Sequence, residues 1–120
     1  MAGRLVYFEV RAGDSHRAQR FYEGVFDWRF GEAEEGLDYT MFDADGGPGG
    51  GLYAAAGGER GLLVYFSVDD IDAAIDRVNA AGGEAQPKQA IPFTGWYARC
   101  VDTEGNAFSV FQRDPSVTGV

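Results

Sequence analysis

The chain has one histidine, His16, one cysteine, Cys100, and 19 aspartates and glutamates among its 120 residues. Two residues cannot build a His/Cys zinc cage, and one cysteine cannot close an internal disulfide. Any metal would need carboxylates plus at most one imidazole. His16 falls one residue into a predicted helix, on its polar face, and does not supply that imidazole. Cys100 has no plausible histidine partner and reads as an inert buried thiol rather than a nucleophile. Glu9 is the carboxylate that stands out. It sits mid-strand in Leu5-Val6-Tyr7-Phe8-Glu9-Val10, whose other face is Val-Phe-Val, where a desolvated, unpaired charge is costly. Three readings of Glu9 stay open: an ion pair with Arg99 or Arg11, a contact to a cationic or hydrogen-bond-donating ligand, or a general base whose pKa burial would raise. The glycine-rich run Gly46 to Gly51 has the look of a phosphate loop. It lacks the following Lys-Ser/Thr and opens no helix, so it reads as a turn over a cavity mouth.

These residues need elements to hold them. Leu5 to Val10 has the β-branched and aromatic character of a buried strand. Gly13-Asp14-Ser15 breaks it and offers a helix N-cap. Ala18, Phe21, Tyr22 and Val25, continued by Phe26, then recur at helical spacing, and this predicts that the Phe21 and Tyr22 rings anchor the helix to a sheet. Short strands are expected at Trp28 to Glu32, Asp38 to Phe42 and Gly51 to Ala55, with turns at Glu34-Glu35-Gly36 and Ala44 to Gly50. Leu62 to Val68 is again a strand and Asp69-Asp70 again an N-cap. Ile71, Ala74, Ile75 and Val78 repeat the stripe, and Gly82-Gly83 stops the helix. A strand near Glu84 to Gln86, a loop through Pro87 and Pro92, and strands at Trp96 to Val101 and Ala107 to Gln112 complete the order.

The pattern is an internal repeat. Val6 to Val10 echoes Val64 to Val68, while Asp14 aligns with Asp70 and Ala18 with Ala74. Two βαβββ modules, roughly 4–56 and 61–113, are expected within a single domain, ahead of a frayed tail at about 114–120. The fold class is α+β, a curved mixed sheet around a cleft. A ferredoxin-like barrel is the alternative.

Three stretches in order carry a resemblance: Gly13-Asp14 through Arg20-Phe21-Tyr22-Glu23-Gly24-Val25-Phe26-Asp27-Trp28, Val68-Asp69-Asp70-Ile71 through Ala80-Ala81-Gly82-Gly83, and Gly95-Trp96-Tyr97 through Asp102-Thr103-Glu104-Gly105-Asn106. With them the chain resembles the vicinal oxygen chelate superfamily, which includes glyoxalase I, extradiol dioxygenases and fosfomycin- and bleomycin-resistance proteins. The resemblance covers roughly Leu5 to Phe111. It implies a metal held by one inward residue from each of four strands. Those positions fall on Tyr7, near Gly51, on Leu63 and on Ser109. Glycine and leucine offer no side-chain donor, and neutral tyrosine and serine are poor ligands, so no metal and no cofactor is expected.

With Tyr7 facing the cleft, strand alternation turns Glu9 inward with it, and Leu63 and Tyr65 in the second module. A two-residue turn at Thr103-Glu104 would pair Ala98 with Ser109 and Trp96 with Phe111, placing Trp96, Ser109 and Phe111 on the same face with Cys100. The candidate ligand-binding set is therefore Tyr7, Glu9, Leu63, Tyr65, Trp96, Ser109 and Phe111, with Glu9 the candidate catalytic residue. An aromatic wall with few polar groups suits an organic ligand. The expected function is metal-independent binding of a small organic molecule, with the acidic charge favouring a cationic one. The alternative is a glyoxalase-like lyase or isomerase, or a dioxygenase-type enzyme, using Glu9 or a non-standard metal site.

The net charge of −9 argues against nucleic acid and against an anionic membrane surface. No run approaches a membrane span. Met1 to Arg4 leads into a strand with no signal-peptide architecture, and a lone cysteine suits a reducing compartment, so a cytoplasmic protein is expected. The resemblance implies a homodimer, which free strand edges make reasonable.

Overall fold

The computed structural model of the chain describes residues 2–33, 38–44 and 46–118. The turn expected at Glu34-Glu35-Gly36 lies outside the described residues, as does Asp45 in the glycine-rich turn. Two compact units emerge: residues 7–63, here the N-terminal unit, and the residues from 64 on joined by those before 7, here the C-terminal unit. Among the described residues no helix is long and apolar enough to cross a membrane.

In the N-terminal unit, β1 (Arg4–Ala12) leads to α1 (Ser15–Val25), then β2 (Arg29–Phe30), β3 (Tyr39–Asp43) and β4 (Gly50–Ala54). The strand order is β2-β3-β4-β1, antiparallel except for β1 with β4, which run parallel. A parallel pair needs a long crossover, and α1 lies within it. The Asp14 side chain caps α1 by accepting the Arg17 amide at 3.0 Å. One core cluster forms around Val10, Ala12, Phe42 and Leu52, with Ala18 and Tyr22 packed against it from the helix. Tyr22 stacks on Trp28 with ring centroids 4.9 Å apart, and Trp28 on Phe42 at 4.5 Å. The helix orientation differs from the sequence expectation here. Ala18 and Tyr22, one turn apart, face the sheet, which turns Phe21 and Val25 to the flank, and the Phe21 ring is 60% exposed.

The C-terminal unit repeats the scheme. β5 (Gly61–Ser67) leads to α2 (Ile71–Ala80), then β6 (Glu84–Ala85), β7 (Gln89–Ile91), β8 (Gly95–Val101) and β9 (Ala107–Arg113). The order is β5-β9-β8-β6, with β7 also on β8; β5 and β9 are parallel and the other pairs antiparallel. Asp70 caps α2 through the Asp72 and Ala73 amides. Here the predicted stripe holds: Ile71, with Ala74, Ile75 and Val78, closes over Ala98, Cys100 and Val110. Both units are thus βαβββ in an α+β fold, the second with β7 added. β7 falls where a loop was expected, because Gln89 to Ile91 finds a partner in Tyr97 to Gly95. The chain beyond Asp114 is not frayed as far as it is described. Phe93 and Val117 share a backbone hydrogen bond, as do Asp114 and Thr94, and Val117 is buried.

The hairpin register also departs from expectation. Val101 pairs with Ala107, so the connection is Asp102 to Asn106 rather than two residues. The Asp102 carboxylate accepts the Glu104 and Asn106 amides at 2.8 Å each, and Gly105 takes a positive φ of 86°. That longer loop shifts the pairing by one. Ser109 faces Arg99, Phe111 faces Tyr97, and Trp96 faces Gln112.

Candidate functional site

In the N-terminal unit, Glu9 on β1 pairs with Gly51 on β4, and Gly51 also pairs with Met41 on β3. Tyr39, two residues before Met41, uses the space that Gly51 leaves. A Cβ at Gly51 would collide with the Tyr39 ring and hydroxyl. With no Cβ there, the ring lies across β4, stacked on Tyr53 at 5.6 Å, and its hydroxyl donates to Glu9 Oε2 at 2.8 Å. The same hydroxyl lies 2.6 Å from Tyr7 Oη. A phenol carries one proton, and that of Tyr39 is directed at the carboxylate. Tyr7 therefore donates to Tyr39, and the chain runs Tyr7 to Tyr39 to Glu9.

Glu9 is 6% exposed, so the charge-assisted bond from Tyr39 stands in for lost hydration. Burial, and beside it the Glu9 charge, push the Tyr39 phenol far above its ordinary range. Tyr39 is thus a fixed donor at any physiological pH. The Arg11 alternative for Glu9 does not form, since Arg11 Nη2 instead donates to the Arg60 carbonyl at 3.1 Å.

In the C-terminal unit, the register places Tyr65, Ser109 and Arg99 in one cross-strand row and Ser67, Phe111 and Tyr97 in the next. Tyr65 is 7% and Ser109 0% exposed, and the Tyr65 and Tyr97 rings lie 6.2 Å apart. Ser109 Oγ is buried with no hydrogen-bond partner among the described residues. Trp96 is not in this group. It packs beside Ala98, Cys100 and Val110 on the α2 side, with Lys88 Nζ 4.6 Å from its ring centroid. Cys100 belongs to the same α2-facing core, and burial pushes its thiol up, against a nucleophilic role. Leu63 is 1% exposed.

The sequence singled out Tyr7, Glu9, Tyr65, Ser109 and Phe111 as candidates, and it did not single out Tyr39, Tyr97 or the cross-strand place of Arg99. The signal for Tyr39 was Gly50-Gly51 inside a strand, which marks a close approach by another group. Three of the positions that the resemblance assigns to metal ligands can be described. Tyr7 is engaged with Tyr39, Gly51 lies under the Tyr39 ring, and Leu63 has no donor atom. Among the described residues no three His, Cys, Asp or Glu side chains group so as to hold an ion.

Comparison with known proteins agrees with the fold. The family model described as Glyoxalase/Bleomycin resistance protein/Dioxygenase superfamily matches residues 4–110. CFP32 of Mycobacterium tuberculosis is 32% identical over 118 residues, covering 94% of this chain and 45% of that protein. The anthracycline biosynthesis protein DnrV of Streptomyces peucetius is 29% identical over 98% of this chain and 51% of its own length. The chain thus spans about half the length of these curated relatives. A glyoxylase-like domain-containing protein of Didymella fabae is 30% identical over 92% of this chain and 94% of its own. A superfamily member from Vibrio splendidus matches in fold, with a TM-score of 0.70 and 17% identity, over 93% of this chain and 99% of that one. Methylmalonyl-CoA epimerase from Mycobacterium tuberculosis does so at 0.68 and 14%, over 94% and 89%. By its sequence match from residue 4 to 110 and by its repeated βαβββ units, the chain belongs to the Glyoxalase/Bleomycin resistance protein/Dioxygenase superfamily.

Proposed function

We propose that the chain binds an organic small molecule without a resident metal, with Glu9, Tyr39 and Tyr7 as its polar anchor. One observation carries this reading: Tyr39 lies over Gly51 and delivers its hydroxyl to Glu9. A position that the resemblance assigns to a metal ligand is thereby given to an aromatic ring, and the nearby carboxylate is committed to a phenol. A buried carboxylate favours a ligand with a cationic or hydrogen-bond-donating group, and the net charge of −9 adds long-range attraction. The C-terminal unit, taken by itself, offers Tyr65, Ser109 and Phe111 as ligand contacts of its own, with Tyr97 and Arg99 in their rows instead of Trp96. The protein acts in the cytoplasm as a homodimer on this reading, and light scattering that finds a monomer overturns the second part.

Native mass spectrometry of freshly purified protein tests the absence of a metal, and one stoichiometric divalent ion overturns it. Titration with a cationic aromatic probe, acridine orange, tests the anchor. Glu9→Gln should weaken binding about tenfold, as expected for one charge-assisted contact. Equal affinity of the variant and the parent refutes the role of Glu9.

A second reading rests on the direction of the proton chain. A carboxylate 6% exposed, at the accepting end of two phenols, is placed to take a proton from a bound substrate as a general base. This is the lyase or isomerase reading, with Glu9 catalytic. Turnover lost in Glu9→Gln while affinity is retained would favour it over simple binding.

A further inference from the structure

A hollow of about 380 Å³ lies away from the Tyr7–Tyr39–Glu9 network, between the end of β1 and the outer flank of α1. That volume is at the lower end of the range for small-molecule sites, about 300–1,000 Å³. Its walls divide by chemistry. Val10, Ala12, Ala18, Phe21 and Tyr22 supply apolar surface, and Arg11 and Arg17 supply two cations. Phe21 is the ring that the helix pattern expected to be buried and that the fold leaves 60% exposed at this edge. A large apolar side chain there has cover to gain from an occupant.

The cations are arranged in an unusual way for so acidic a chain. Four of its ten basic residues, Arg11, Arg17, Arg20 and Arg60, gather around this hollow or on the adjoining helix face. The Arg60 guanidinium lies directly over Gly13, where a Cβ would meet Nη2 at 2.6 Å. Backbone carbonyls hold Arg60 in place, through Nη1 to Gly58 at 2.6 Å and to Glu59 at 3.2 Å. Arg11 Nε is buried with no hydrogen-bond partner among the described residues. No carboxylate comes within ion-pairing distance of Arg11, Arg17 or Arg60 among the described residues, although 19 carboxylates are present in the chain. Asp14 is the one acid in the wall. Its oxygen is taken by the Arg17 amide, and the Arg17 and Arg20 charges offset its own.

We propose that this hollow is a second ligand site, one that takes a monoanionic organic acid: an oxyanion head, carboxylate or sulfonate, on a flat apolar body. The head lies toward Arg11, Arg17 and Arg60, and the body lies along Ala18, Phe21 and Tyr22. The ligand class is opposite in charge to the one that Glu9 favours, so the two sites do not compete for the same molecule.

Naphthoate titrated into isotopically labelled protein tests this by NMR. Saturable shifts are expected at the Gly13, Arg17 and Phe21 amides. Neutral naphthamide should bind at least about tenfold more weakly, as expected for loss of a charge-assisted contact. Naphthalene sulfonate should behave like naphthoate. Arg17→Met, at an exposed helix position where folding is not at stake, should weaken naphthoate, and added salt should do the same. Equal binding of naphthamide and naphthoate overturns the proposal. So does an absence of saturable shifts, or their clustering at Tyr7 and Tyr39 instead.

Discussion

Tyr39→Phe removes one oxygen atom and keeps the ring that lies over Gly51. Stacking on Tyr53 at 5.6 Å is retained, so the change isolates the hydroxyl. Two hydrogen bonds are lost, one to the Glu9 carboxylate and one from Tyr7. A bond to a charged group contributes about 1.5–3 kcal/mol and a neutral one about 0.5–1.5. Because the three groups share one network, these values do not add, and a net loss of about 2–3 kcal/mol is expected. With a urea m-value of about 1–3 kcal/mol/M, the unfolding midpoint should fall by about 1–2 M. Glu9→Gln supplies the second side of a double-mutant cycle, since a neutral amide oxygen still accepts but without charge. Tyr39→Phe should therefore cost less in the Glu9→Gln background, with a coupling of about 0.5–3 kcal/mol. A loss below about 0.5 kcal/mol, or strict additivity in the cycle, would refute the network as an energetic unit.

Three further outcomes follow from the same structure. Gly51→Ala should destabilise by about 1–3 kcal/mol through the collision with Tyr39, and most of that cost should vanish in a Tyr39→Ala background, as read by urea unfolding. Phe21→Ala should change stability by no more than about 1 kcal/mol, whereas Tyr22→Ala, which removes a ring stacked on Trp28, should cost about 2–4; equal losses would mean that α1 is turned otherwise. The Asn106 amide, then its side chain and the Glu104 amide, hold the Asp102 carboxyl below its ordinary range. Its folded pKa being depressed, its contribution is complete above the unfolded value of about 3.9 and is lost as pH falls through the folded one. The stability gap between the parent and Asp102→Asn should be constant near neutrality and close in acid.

How far the sequence could be read depended on whether the information was local. The two caps, Asp14 and Asp70, and the stripe of α2 follow from side chains and spacing a few residues apart, and the structure bears them out. The orientation of α1 does not. Ala18, Phe21, Tyr22, Val25 and Phe26 give an apolar arc too wide to name its own centre, and the stack of Tyr22 on Trp28 and Phe42 decides which part of it faces inward. The hairpin shows how one local decision spreads. Asp102 organises a five-residue loop with its own carboxylate, and the resulting shift exchanges Trp96 for Tyr97 on the face of Ser109 and Phe111. Tyr39 was hidden for another reason. Its role depends on an absent side chain on a different strand, and periodicity along one segment cannot report that. Its phenol can reach Glu9 because Gly51, some distance along the chain, contributes nothing but room.

The parallel pairs have a bearing on the order in which the chain assembles. β5 meets β9 only after the chain between them, about a third of the whole, has turned back, while β8 and β9 meet across a short loop. Loop closure that must be completed before any long-range contact forms is the slow part of folding. The β8–β9 hairpin is therefore expected to form early, and β5 to close its unit late. Destabilising changes in the Asp102 loop should slow folding, whereas changes at Phe66, which pairs with Val110, should chiefly speed unfolding. On this expectation the repeat carries a timetable as well as a shape, since β1, like β5, meets its parallel partner only across a long crossover.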